Sequence, residues 1–254
     1  MNDRESGRYW EANAAEWTQH VRRGFDESRD FVNSPAFFAM LPEIRGLRGL
    51  DLGCGEGHNT QRCVELGAAM TALDVAPTFV RATAGRGIPT VNASGLELPF
   101  AAGAFEFVTA FMSVMDMPEH PRVFAEVHRV LRPGGFFQFS ISHPCFQTPA
   151  WEWLRDAAGN RRAVACGDYF RELDGDLETW SFGAARRAGE TARGFQVPRF
   201  THTLSTWLNL LLDSGFALER FCEPTVDAAT AAAKPQLRDH QIIAYFLTIR
   251  ARRN

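Results

Sequence analysis

An α/β fold built on a doubly wound, mostly parallel sheet is what this chain predicts, on three observations. Residues 47–60 run a short apolar strand into Asp51, then alternate Gly53, Gly55 and Gly57 before a helix start at Asn59 or Thr60. Strand-length and helix-length segments alternate from Leu47 to Ser142, and an amphipathic helix with two strand-like runs follows after residue 203. Glycines at this density let the backbone turn sharply and approach a ligand without Cβ interference. A strand entering such a turn and leaving as a helix forms the nucleotide-binding corner of a doubly wound sheet. The spacing is D-x-G-x-G-x-G, whereas a pyrophosphate-binding loop wants G-x-G-x-x-G; an acid before the turn would repel pyrophosphate and could receive a cationic amine.

Residues 8–23 read as a helix with Trp10, Ala14, Trp17 and Val21 on one face and Gly24 as the stop. A short helix is expected over Pro35–Leu41. Strands are expected at Leu47–Leu52, Met70–Asp74, Thr90–Ala93, Phe105–Phe111 and Phe136–Ser142. The helices between them are Asn59–Leu66, Pro77–Ala84 and Pro121–Leu131, the last closed by Pro133-Gly134-Gly135. Alternation at these lengths argues for a parallel sheet covered on both faces. The rhythm breaks from Pro144 to Phe200, where aromatics mix with charges and glycines; this reads as an insertion or cap. Thr203–Leu212 resumes as a helix, and Ala217–Glu223 and Ile242–Arg250 read as closing strands joined by a polar linker. The chain is thus one domain in four parts: a helical lid at 1–44, a core at 45–143, a substrate-side insertion at 144–203, and a helix with closing strands at 204–254.

At 254 residues and 45% apolar composition the chain can bury a full core. A net charge of −3 with no basic block argues against nucleic acid as a partner. No apolar run reaches the roughly 18–20 residues of a membrane span, and the charged first residues lack a signal-peptide core. The five cysteines form no CxxC pair and no Cys/His cluster of metal-ligand spacing, so neither a disulfide frame nor a metal site is expected. A cytoplasmic protein, monomeric or homodimeric, is the expectation.

Four segments then coincide in order and spacing with a known family: Gly49-Leu-Asp-Leu-Gly-Cys-Gly-Glu-Gly57, Ala72-Leu-Asp-Val75, Leu98-Pro-Phe100 with Phe105–Phe111, and Glu126-Val-His-Arg-Val-Leu-Arg-Pro-Gly-Gly135. On these the chain resembles the class I S-adenosylmethionine-dependent methyltransferases, in their small-molecule, methyltransferase-11-like branch. The resemblance implies a Rossmann-like seven-stranded sheet, mostly parallel with an antiparallel last strand. It also implies S-adenosyl-L-methionine as cofactor and S-adenosyl-L-homocysteine as product. It assigns Gly53, Cys54 and Gly55 to the methionine end of the cofactor, with Asp51 orienting the amino group and His58 and Asn59 nearby. Asp74 and Val75 fall at the ribose, Ser94, Gly95 and Leu96 at the adenine, and Phe111 and Met112 along the methionine tail. Many relatives carry an aspartate where this chain has Ser94, which accepts a hydrogen bond more weakly.

A sulfonium makes its methyl group electrophilic, so the protein has mainly to align an acceptor and exclude water. A base is needed only where the acceptor must lose a proton. His143, at the carboxyl end of the expected fifth strand, is the candidate catalytic residue; the alternative is a hydrogen-bonded histidine fixing the turn before Pro144. Tyr9, Trp10, Tyr169, His202 and Trp207 are candidates for substrate contact, against ordinary core packing for the tryptophans. Arg29 and Asn33, one helical turn apart, could reach the cofactor carboxylate or form a surface pair. The aromatic insertion favours a small, partly hydrophobic or aromatic acceptor with an O, N or C nucleophile. Three other readings stay open: a cofactor-binding module without turnover, a nicotinamide-dependent oxidoreductase, and methylation of a protein or tRNA.

Overall fold

The computed structural model describes residues 1–190 and 194–254. In chain order its strands are β1 (Arg48–Leu52), β2 (Ala69–Asp74), β3 (Thr90–Asn92), β4 (Phe105–Phe111), β5 (Leu131–Ser142), β6 (Ala150–Arg155), β7 (Arg161–Gly167), β8 (Asp174–Trp180), β9 (Phe195–Phe200), β10 (Phe216–Cys222) and β11 (Phe246–Arg253). The α-helices are α1 (Asp3–Arg22), α2 (Ser34–Met40), α3 (His58–Glu65), α4 (Pro77–Ala84), α5 (His120–Val130), α6 (Gly183–Arg187), α7 (Leu204–Asp213) and α8 (Ala228–Ala233).

Seven strands form one sheet in the order β10-β11-β5-β4-β1-β2-β3. Pairings from β3 through β5 are parallel, and β11 runs antiparallel between β5 and β10. This is the doubly wound, Rossmann-like sheet with an antiparallel last strand that the sequence predicts. Its central strands are buried on both faces, which is why they read as unbroken apolar runs; Leu50, Leu52, Val108 and Phe139 are wholly shielded. The chain direction reverses its crossover between β1 and β4, and the carboxyl ends of these strands open there into a crevice.

Several boundaries differ from expectation for local reasons. α1 begins at Asp3, not residue 8, because the Asn2 side chain accepts from Glu5 N at 3.0 Å while Glu5 Oε2 accepts from Asn2 N at 3.1 Å. A π-helical turn, Arg29–Asn33, leads into α2. α5 passes straight into β5: Leu131 already pairs with Phe105, and the ladder shifts register before Phe136 meets Phe107, so the Pro133-Gly134-Gly135 turn lies inside the strand. The linker expected between the closing strands holds α8 and a 3-10 turn at Pro235–Gln241, so the last strand starts at Phe246, later than expected.

The described residues of the 144–200 segment do not join the main sheet. They make two hairpins, β6–β7 and β8–β9. The second docks on α1: Trp17 sits 5.0 Å from Trp180, 4.9 Å from Phe182 and 5.1 Å from Phe195, ring centre to ring centre. The amino-terminal helix is therefore clamped between the insertion and α4, where Trp10 meets Phe79 at 6.3 Å. Among the described residues, no helix is long and apolar enough to cross a membrane.

Candidate functional site

The crevice begins with the turn between β1 and α3. Gly53 N and Cys54 N both donate to Leu73 O, at 2.8 and 3.0 Å, drawing the chain over the end of β2. Gly53 has φ +73°, and a Cβ there would lie 2.4 Å from Ser113 Cβ; no side chain fits that angle or that gap. Gly55, at φ +54°, is different: a Cβ on it would meet nothing within 4 Å, so its bare backbone faces open space. Gly55 N donates to Asp74 Oδ2 at 2.9 Å, and Ala76 N donates to Asp74 Oδ1 at 2.9 Å. Burial outweighs these two bonds and pushes the Asp74 carboxyl up to about 6.

A cavity open to solvent lies beyond Gly55. Its floor is the turn Gly53-Cys54-Gly55-Glu56 with His58 and Asn59 at the start of α3. One wall is Leu73-Asp74-Val75 with Ala93 and Gly95; another is Phe111-Met112-Ser113 with Asp116 and Met117. The cover comes from Asp3, Ser6, Trp10 and Trp17 of α1, with Asp26, Arg29 and Phe79. Met112 holds a left-handed backbone at φ +54°, fixed by donation from its N–H to Ser140 O at 3.0 Å; a non-glycine residue kept there marks stored strain at the cavity edge.

Of the sequence-named cofactor residues, Gly53, Cys54, Gly55, His58, Asn59, Asp74, Val75, Gly95, Phe111 and Met112 line this cavity. Asp51, Ser94 and Leu96 stand behind the lining. Asp51 is 2 % exposed and accepts from Thr60 Oγ1 at 2.5 Å and Thr109 Oγ1 at 3.1 Å, tying α3 and β4 to the glycine turn. Burial pushes its carboxyl up to about 6 as well, against those hydroxyls. Ser94 Oγ accepts from Leu96 N at 3.0 Å, and the Leu96 side chain is in the core. Arg29 reaches the cavity; Asn33 instead is buried with its Nδ2 3.4 Å from Ser140 Oγ. Burial, then the Arg29 charge, lowers the His58 imidazole below its usual range.

The substrate candidates separate. Trp10 covers the main cavity, and Tyr9 lines neither cavity. Tyr169, His202 and Trp207 border a much smaller, narrow cleft between the insertion and the end of β5. There His202 Nε2 lies 3.0 Å from His120 Nδ1, and His120 Nε2 lies 2.9 Å from Val114 O. A carbonyl only accepts, so His120 donates from Nε2 and accepts from His202 at Nδ1. Burial and the His202 charge push His120 down to about 3, in keeping with a neutral ring. His143 lines neither cavity: its Nδ1 accepts from Cys145 N at 3.2 Å and its Nε2 donates to Glu223 Oε1 at 2.8 Å.

The sequence reading passed over Asp3, Ser6, Asp26, Glu56 and Asp116. Asp116 carried a signal, an acid within the apolar run Phe111-Met-Ser-Val-Met-Asp-Met117 just past a strand. Glu56 is 4 % exposed and is held by Arg86, by Arg29 Nη1 at 3.7 Å and by Arg22 Nε at 3.8 Å. Among the described residues, no group of three or more His, Cys, Asp or Glu could hold a metal ion.

The sequence family described as "Methyltransferase domain" matches residues 50–139, the span from β1 into β5. The chain is 39% identical over 118 residues to the nocamycin O-methyltransferase of Saccharothrix syringae, covering 42% of this chain and 41% of that protein. It is 36% identical over 90 residues to the demethylmenaquinone methyltransferase of Corynebacterium urealyticum, covering 35% of this chain and 39% of that protein. The chain thus spans less than half the length of these curated relatives. A solved S-adenosylmethionine-dependent methyltransferase from Mesorhizobium loti is similar over most of the chain, with 31% identity, a TM-score of 0.72, and coverage of 86% of this chain and 96% of that one. With the glycine turn, the buried strand-end acid and this likeness over most of both chains together, the chain belongs to the S-adenosylmethionine-dependent methyltransferases.

Proposed function

We propose that this protein transfers a methyl group from S-adenosyl-L-methionine to a small, partly hydrophobic acceptor and releases S-adenosyl-L-homocysteine. The observation that carries this is the Asp74 carboxyl beside the open face of Gly55. A carboxylate offers about four lone-pair directions. Gly55 N and Ala76 N take two, which orients the group and leaves two for a pair of ribose hydroxyls. The lining fits such a nucleoside: a peptide face without a side chain at Gly55, one oriented acid, and apolar walls from Leu73, Val75 and Phe79.

The cofactor supplies, when bound, a methyl group activated by its sulfonium charge. The residues of this chain bind, orient and exclude water. Gly53, Cys54 and Gly55 present main chain along the floor, and Phe111 and Met112 present it from the far wall. Asp51 acts through the turn it anchors, by way of Thr60 and Thr109. Arg29 is the cation on the cavity wall, suited to a carboxylate; α1 is the lid, with Trp10 and Trp17 offering aromatic faces to positive charge. Of the two readings of His143, the positioning role has the support: both ring nitrogens are engaged in holding the turn after β5 to Glu223.

Titration calorimetry with S-adenosylhomocysteine and with NAD+ tests the reading. Saturable binding of the first alone is expected; binding of NAD+ with none of the first would overturn it. A methyl-transfer screen over small metabolites should give turnover that survives His143→Ala, and loss of turnover in that variant at unchanged cofactor affinity would restore the base assignment.

A further inference from the structure

We propose that the Asp116 carboxyl is the acceptor subsite of the main cavity, and that it takes the amino nitrogen of an amine and shares its proton. The inference rests on the methyl-transfer reading and narrows it to a substrate class. Asp116 is 7 % exposed and lines the cavity, and among the described residues no hydrogen bond reaches its carboxyl, whose Oδ1 is wholly buried. Leaving a buried carboxyl oxygen unpaired is costly, and such groups in a cavity mark where a ligand supplies the missing donor. The Arg199 guanidinium whose field reaches Asp116 is bonded to Glu178 Oε2 at 2.8 Å, so it does not fill that role.

The carboxyl is held in place by its backbone. Ser6 Oγ donates to Asp116 O at 2.9 Å, Asp116 N donates to Ser113 O at 3.0 Å, and His120 ties Val114 O at 2.9 Å. The unmet carboxyl is therefore a feature of a braced turn, Val114–Asp116, just past the carboxyl end of β4.

Charge selects an amine over other acceptors. Of the carboxyl groups that line the cavity, Glu56 is matched by Arg22, Arg29 and Arg86, which leaves Asp3, Asp26, Asp74 and Asp116 as an acidic surplus. An anionic acceptor would be repelled, and a neutral alcohol gains nothing from the surplus. An ammonium ion gains from it and from the indole faces of the lid. At Asp116 the ammonium gives one proton to the carboxylate, leaving a neutral amine with its lone pair free and a neutral carboxylic acid. Burial raises the Asp116 carboxyl well above the usual carboxylate range, which favours that uncharged pair.

The test uses the full chain saturated with S-adenosylhomocysteine, whose own affinity is measured first and reports separately on the cofactor reading. Calorimetry then compares phenethylamine with 2-phenylethanol and phenylacetate. The expected result is at least tenfold tighter binding of the amine, with Asp116→Asn lowering amine affinity to that of the alcohol and changing S-adenosylhomocysteine affinity less than threefold. Equal binding across the series, a preference for phenylacetate, or no binding of any member overturns the proposal. So does an Asp116→Asn variant that loses S-adenosylhomocysteine and the amine in parallel, since the carboxyl would then serve the cofactor. The selectivity of the wild type alone decides the case if the variant does not fold.

Discussion

Asp74 and Asp51 lie on neighbouring strands, both buried and both raised to about 6, yet their partners give them different work. Asp74 accepts from peptide N–H groups and keeps free lone pairs toward the cavity; Asp51 is satisfied by two hydroxyls and faces inward. Asp74→Ala should weaken S-adenosylhomocysteine binding by about 1.5–3 kcal/mol, roughly 10- to 150-fold, in a calorimetric titration. Thr60→Val should lower stability by about 1–3 kcal/mol in urea unfolding, because it strips one donor from a buried acid, and should weaken that affinity less than Asp74→Ala does, since Thr109 still holds Asp51 behind the turn. The pH dependence follows from the same burial. An unfolded aspartate titrates near 3.8, and these two titrate near 6 when folded, so the folded state binds more protons between those values. Their contribution to stability is therefore fullest below about pH 4, falls as pH rises toward 6 and is flat beyond. Ribose hydroxyls favour the ionised form of Asp74, so S-adenosylhomocysteine affinity should rise from pH 5 to 7.5, and Asp74→Asn should flatten that rise.

Single elements hold the lid. The Asn2–Glu5 capping box starts α1, and Trp17 joins it to the β8–β9 hairpin through three aromatic contacts. Asn2→Ala should cost about 1 kcal/mol in thermal unfolding, the usual worth of a cap. Trp17→Ala removes a ring that both packs the insertion and borders the cavity, so Tm and S-adenosylhomocysteine affinity should fall together. A loss of Tm without any change in affinity would show that the ring serves packing only. The helix boundary was misjudged in the sequence because the apolar stripe begins at Trp10, whereas the cap that sets the true start is polar and lies eight residues earlier.

Across the protein, the cavity is roofed by residues of α1 and floored by the β1–α3 turn, so a bound nucleoside must be covered by a helix that is itself anchored on the insertion. Hydrogen exchange should therefore slow in α1 and in the 53–57 turn when S-adenosylhomocysteine is added, while β4 and β5, already in the core, change little. At a hundredfold excess over Kd the ligand should stabilise the fold by about 2.7 kcal/mol, read as a rise in Tm. Unchanged exchange in α1 would mean that the helix does not cover the bound molecule.

The order of sheet and helix, the glycine turn and the strand-end Asp74 were legible along the chain, because backbone periodicity, positive φ and strand position are local properties written in a few adjacent residues. Which side chains meet in space was not. Asp51 sits two residues before Gly53 yet turns into the core, His143 spends both nitrogens on a turn, and Tyr169, His202 and Trp207 gather at a different hollow from Trp10. The acid at 116 is visible in its apolar run, but only the fold shows that its buried oxygen lacks a donor. Those outcomes depend on contacts between separate elements of the chain, and burial and hydrogen-bond satisfaction exist only after the chain has closed on itself.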